Sequence, residues 1–127
     1  MGTATGRHPV AVPVSLSTHV LDAALGRPAR DVHVVLFRQA AGGWTRRAGG
    51  RTDADGRLRP VDDAGREAGL EAGVYRLEFD TAAYFEATGQ VGFYPQVSVT
   101  FEVTDPVAHH HVPLLLSPFA YSTYRGS

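Results

Sequence analysis

Short runs in which apolar and polar residues alternate recur along this chain, each bounded by glycine, proline or aspartate. Successive side chains of a strand point to opposite faces, so such runs read as strands with one buried face. Ser15 to Leu21 (SLSTHVL) places Ser15, Ser17 and His19 on one face and Leu16, Thr18 and Val20 on the other. Asp22 to Pro28 is a turn, broken by Gly26 and Pro28. Asp31 to Arg38 puts Val32, Val34 and Leu36 opposite His33, Val35 and Phe37. Both faces are largely apolar, as a central strand requires. Trp44 to Thr52 is a weaker strand whose Gly49-Gly50 pair predicts a bulge or an edge. Asp53-Ala54-Asp55-Gly56 is a tight turn, with Arg57 directly after it. Leu58 to Ala72 is polar and reads as a loop holding at most one short strand.

Gly73 to Phe79 alternates again. Asp80 to Gly89 is the one predicted helix: Asp80 suits an N-cap, Phe79 and Tyr84 suit a hydrophobic staple, and Gly89 suits a stop. Tyr94 to Thr104 aligns Val97, Val99, Phe101 and Val103 on one face. Asp105-Pro106 turns the chain, His109 to Ser117 is a strand, Pro118 turns, and Phe119 to Arg125 is the last strand. Seven to eight short strands and one short helix predict an all-β protein, a two-sheet β-sandwich.

Length and composition narrow the function. At 127 residues and 43% hydrophobic, the chain is one globular domain. Met1 to Val14 reads as a flexible N-terminal extension, residues 1–14, before a domain of residues 15–127; its apolar run is too short for a signal peptide. A net charge of -1 with scattered arginines argues against nucleic acid or an anionic membrane as partner. No apolar run reaches the roughly 18 residues of a spanning helix. The chain has no cysteine, hence no disulfide framework and no thiolate site, which fits a reducing, cytoplasmic setting.

The polar chemistry gathers near the end. In His109-His110-His111, strand alternation turns His109 and His111 one way and His110 the other. Such a pair can chelate zinc if His19 or His33 completes the shell, but no cysteine or well-spaced acid supports that. An imidazole near its ordinary pKa of about 6.5 also serves as a general base. A strand histidine with neither role is an ordinary hydrogen-bonded structural residue. No Gly-X-Ser-X-Gly elbow or glycine-rich phosphate loop is present.

Four segments carry a family resemblance: Leu16-Ser17-Thr18-His19-Val20-Leu21-Asp22, Thr52-Asp53-Ala54-Asp55-Gly56-Arg57, His111-Val112-Pro113-Leu114-Leu115-Leu116-Ser117-Pro118, and Tyr124-Arg125-Gly126-Ser127. In this order they resemble the segments of the 5-hydroxyisourate hydrolases, the transthyretin-related enzymes of urate breakdown. The resemblance implies a transthyretin-like sandwich and a homotetramer, a dimer of dimers, with active sites at the dimer–dimer interface. It places the catalytic residues at His19, Arg57, His111 and Ser127, with Tyr124 lining the substrate site. It implies 5-hydroxyisourate as substrate, with no metal or organic cofactor. Water would attack the C6 carbonyl and cleave the bond to N1, giving 2-oxo-4-hydroxy-4-carboxy-5-ureidoimidazoline. Either His19 or His111 would be the base, Arg57 would face the carbonyl oxygen, and Ser127 would position substrate. The rival from another class is a transthyretin-like carrier of a small ligand, from which the closing Tyr-Arg-Gly-Ser separates the hydrolases.

Overall fold

The computed structural model describes residues 15–105 and 108–127. The expected extension, residues 1–14, and Pro106 of the expected turn lie outside the described residues. The alternating runs form strands β1 (Leu16–Asp22), β2 (Arg27–Pro28), β3 (His33–Ala40), β4 (Gly43–Arg51), β5 (Arg57–Leu58), β6 (Gly73–Phe79), β7 (Val97–Val103), β8 (His110–Ser117) and β9 (Ala120–Thr123). The helix, α1 (Thr81–Ala87), lies between β6 and β7. β2 and β5 are only two residues long; the other seven strands are those the alternation predicts.

The strands build two sheets. One has the order β2-β1-β8-β9, with β5 also paired to β1; the other has the order β4-β3-β6-β7. β1 and β8 run parallel, and the other pairs are antiparallel. Leu16, Val20, Val34, Leu36, Tyr75, Leu77, Phe79, Val97, Val103, Leu114 and Leu116 fill one core between the sheets. Fully burying such a side chain is worth about 1.5–3 kcal/mol. Slipping β1 by one residue would exchange its faces, burying Ser17 and His19 in place of Leu16 and Val20. The core therefore dictates which polar side chains of β1 face outward.

The helix begins where its cap predicts, with the Ala83 amide donating to Asp80 Oδ1 at 3.2 Å and Gly89 at φ 69° beyond its end. A buried carboxylate pins it to β1. Asp22 accepts from Tyr84 Oη at 2.6 Å, Gln90 Nε2 at 3.0 Å, and the Ala24 and Leu25 amides at 3.0 and 2.9 Å. Burial pushes the Asp22 carboxyl up, but these donors outweigh it and hold its pKa below the ordinary value.

Two elements differ in detail from the sequence reading. β7 starts at Val97, not at Tyr94, because the Tyr94 and Pro95 carbonyls serve the helix instead, accepting from Thr81 Oγ1 at 2.5 Å and the Ala82 amide at 3.0 Å. The β4 bulge falls at Arg47, since Leu36 pairs with Ala48 and Phe37 with Arg46. Gly50 instead gives Leu58 room: a Cβ there would sit 2.7 Å from Leu58 Cδ1. β4 is nonetheless an edge strand of its sheet.

Candidate active site

The site is built on the outer face of the sheet that contains β1 and β8. His19 pairs with Arg57 of β5, so the two side chains leave the same face. The turn before Arg57 is tightly specified. Asp53 Oδ1 accepts from the Asp55 and Arg57 amides, both at 2.9 Å. Gly56 holds φ 76°, and a Cβ there would stand 2.3 Å from the Val20 carbonyl oxygen. Thr52 anchors the turn from below, with its hydroxyl accepting from the Val32 amide and donating to the Ala29 carbonyl. The Asp55 carbonyl, thus fixed, accepts from His19 Nε2 at 2.8 Å. A carbonyl cannot donate, so this nitrogen carries the proton and neutral His19 keeps its Nδ1 lone pair.

On the other side of β1, Ser17 pairs with His111 of β8 and His19 with Pro113. Ser17 Oγ is hydrogen-bonded to His111 Nδ1 at 2.8 Å. Burial pushes the His111 pKa down; a hydrogen bond to the Ser17 backbone opposes this, while His109, Arg57 and His19 add repulsion. The ring is therefore neutral at neutral pH. His110 turns inward and is buried, its Nδ1–H donating to the Ala108 carbonyl at 2.9 Å. His33 lies on β3 in the other sheet, away from any zinc shell around His109 and His111. Among the described residues, no group of three or more His, Cys, Asp or Glu side chains is placed to hold a metal ion.

The tail returns to this face. Leu114 pairs with Thr123, and three residues further along each strand His111 bridges Gly126 in the same register. Between them Pro113 has no amide proton to offer, which leaves Tyr124 and Arg125 outside the ladder. The Gly126 amide then donates to the His111 carbonyl at 2.9 Å. A Cβ on Gly126 would stand 2.4 Å from His111 Cδ2, so only glycine lets the tail lie against the ring. A cavity of about 250 Å³ has His111, Tyr124 and Arg125 in its wall, and a groove of about 490 Å³ has Ser17 and Arg57 in its own.

Residues 16–126 match the HIUase/Transthyretin family. The chain belongs to this family. It is 44% identical over 112 residues to the 5-hydroxyisourate hydrolase of Salmonella dublin, covering 88% of this chain and 80% of that one. The solved structure of Klebsiella pneumoniae 5-hydroxyisourate hydrolase matches with a TM-score of 0.76 at 35% identity, over 90% of this chain and 99% of that one. Transthyretin from Sparus aurata matches as well, with a TM-score of 0.77 at 38% identity, over 87% and 95% of the two chains. The sandwich is thus common to both branches of the HIUase/Transthyretin family, and function must be argued from the site.

In this family member, His19, Arg57 and His111 emerge on one sheet face. Tyr124 is 57% exposed beside His111, and Ser127 is an exposed neighbour of Gly126. Sequence reasoning gave no role to Ser17, the Asp55 carbonyl or Gly126. Alternation had already placed Ser17 beside His19; what it cannot supply is the β1–β8 register that brings Ser17 to His111.

Proposed function

We propose that this protein hydrolyses 5-hydroxyisourate, with His19, Arg57, His111 and Ser127 as its catalytic residues and Tyr124 against the substrate. The observation that carries this reading is the bridge from Gly126 to His111, which lays the Tyr-Arg-Gly-Ser tail against an imidazole on the face that also presents His19 and Arg57. Relatives named 5-hydroxyisourate hydrolase, at 42–44% identity over most of the chain, support it independently.

His111 Nε2 is the nitrogen left over once Nδ1 bonds Ser17, and it takes the proton of the attacking water. Such base assistance is worth roughly 10²–10⁴ in rate. Arg57, held by the Asp53 turn, faces the C6 oxygen as negative charge grows on it. His19, oriented by the Asp55 carbonyl, stands on the Arg57 side of the site and helps hold the substrate. Ser127 and Tyr124 hold the ring of the substrate against the face. An activated cyclic amide needs only water, a base and a fixed cation, so the scheme uses no metal or organic cofactor.

The cavity beside His111 and the groove beside Ser17 and Arg57 are open in one chain, which supports a site completed by neighbouring subunits in a homotetramer, a dimer of dimers. Residues 1–14 would be a flexible extension outside the catalytic domain, residues 15–127. Among the described residues, no helix is long and apolar enough to cross a membrane, and the cysteine-free sequence fits work in the cytoplasm.

The test is to generate 5-hydroxyisourate from urate with uricase and follow the decay of its absorbance. Faster decay with the purified protein is expected. Decay at the uncatalysed rate would reject the reading and leave a ligand carrier, like the sea bream transthyretin whose structure holds thyroxine.

A further inference from the structure

Ser15, Ser17 and His109 face the same way as the proposed catalytic residues, yet the reaction as written gives them no part in moving a proton. They are joined in one chain of hydrogen bonds. Ser17 Oγ lies 2.8 Å from His111 Nδ1 and 2.9 Å from His109 Nε2. His109 Nδ1 is hydrogen-bonded in turn to Ser15 Oγ. The two imidazole planes lie within 18° of each other with centroids 6.4 Å apart, and the Ser17 hydroxyl bridges them.

A hydroxyl has one hydrogen to donate and lone pairs to accept with. The chain therefore has two polarities in which Ser17 donates to one ring and accepts from the other; if it accepted from both, no proton could pass between the rings through its hydroxyl. In the first, Ser17 donates to His111 Nδ1 and accepts from His109 Nε2–H. His111 then carries its proton on Nε2 and cannot act as a base there. In the second, His111 Nδ1–H donates to Ser17, Ser17 donates to His109 Nε2, and His109 Nδ1–H donates to Ser15. Of these two, only the second leaves the His111 Nε2 lone pair bare.

We infer that Ser17 and His109 are positioning residues for the hydrolysis, holding His111 in its Nδ1–H tautomer and receiving through the Ser17 hydroxyl the proton that His111 takes from water. This rests on the hydrolase reading above. The proton count closes. As the water proton bonds to His111 Nε2, the Nδ1 proton passes to Ser17 Oγ and the Ser17 proton passes to His109 Nε2. His111 is now the Nε2–H tautomer and His109 the imidazolium. When His111 gives its Nε2 proton to the departing N1, each transfer runs backward and the starting state returns. Parking the charge on exposed His109 keeps it off the more buried His111 ring. The other charged or titratable groups around the pair are His19 of β1, Arg57 of β5, Glu102 of β7, His110 of β8, and Tyr124 and Arg125 of the tail.

Three variants test this: Ser17→Ala, which removes the bridge; Ser17→Thr, which keeps a hydroxyl; and His109→Gln, which can hydrogen-bond Ser17 but cannot store a proton. S17A and H109Q should lower kcat about 10–100-fold with KM unchanged, and S17T should restore kcat. The acidic limb of the kcat profile should move up in H109Q, where the repulsion from His109 is lost. Histidine 15N spectra of the ligand-free protein should show His111 as Nδ1–H in wild type and shifted toward Nε2–H in S17A. An active enzyme whose kcat and pH profile survive both S17A and H109Q overturns the relay, as does a His111 tautomer indifferent to S17A. A wild type inactive on 5-hydroxyisourate overturns the hydrolase reading instead, and the spectra still judge the bridge by themselves.

Discussion

Replacing Gly126 with alanine should disable the site while leaving the sandwich folded. The added Cβ would stand 2.4 Å from His111 Cδ2, 3.1 Å from Cγ and 3.3 Å from Pro113 Cγ. Carbon atoms rest at about 3.5–4.0 Å, so the ring or the tail must move by about 1 Å. Backbone strain is not involved, because Gly126 does not adopt a left-handed φ. Moving the ring breaks its 2.8 Å bond to Ser17; moving the tail breaks the 2.9 Å bond from the Gly126 amide to the His111 carbonyl. Either loss removes one hydrogen bond, about 0.5–1.5 kcal/mol, from a total stability of about 5–15 kcal/mol. The melting temperature should therefore fall by only a few degrees. A misplacement of about 1 Å among reacting groups, in contrast, costs about 10²-fold in rate. The uricase-coupled assay reads kcat/KM and a thermal melt reads stability. Wild-type kcat/KM in G126A would refute the placement of the tail against His111. Collapse of the fold would refute the claim that the tail serves the site and not the core.

Arg57→Ala should lower turnover about 10²–10³-fold with an unchanged circular dichroism spectrum, since Arg57 is exposed; near-normal turnover would remove it from the mechanism. The depressed His111 pKa predicts that activity rises with pH along an acidic limb lying below the ordinary imidazole value of about 6.5, and a limb above that value in the kcat/KM profile would contradict base catalysis by this ring. Asp22→Ala strands Tyr84 Oη and Gln90 Nε2, each at about 1–3 kcal/mol, and should lower the urea midpoint without touching the site. Because the folded Asp22 pKa is depressed, its contribution is fully present above the unfolded value of about 3.9 and is lost as pH falls toward the folded value. Wild type should thus lose part of its advantage over D22A in acid, and a constant gap across that window would contradict the assignment.

What the sequence revealed, and what it hid, divides along a physical line. Period-two alternation is a local property, so the faces of β1, β3, β6 and β7 were legible, and so was the turning of His111 to the face opposite His110. Capping is local too, and Asp80 and Gly89 mark the helix. The Asp-Gly turn before Arg57 is also written within a few residues. Hidden from the sequence was everything set by partners distant in the chain. That Ser17 meets His111 depends on a parallel pairing of the first strand with the eighth. That Gly126 touches His111 depends on a ladder resuming beyond Pro113. The Arg47 bulge depends on how β3 and β4 fit together, whereas the visible Gly49-Gly50 pair answers to Leu58 and to Val61 across it.

The central claim is that the tail completes a hydrolytic site on the outer face of β1 and β8. Its most direct measurement compares the full chain with a variant lacking Arg125 to Ser127, both in the uricase-coupled assay, with melting temperature recorded alongside. The full chain should accelerate 5-hydroxyisourate decay, and the shortened chain should not, while melting close to the wild-type temperature. A shortened chain that remains folded and fully active would contradict the account.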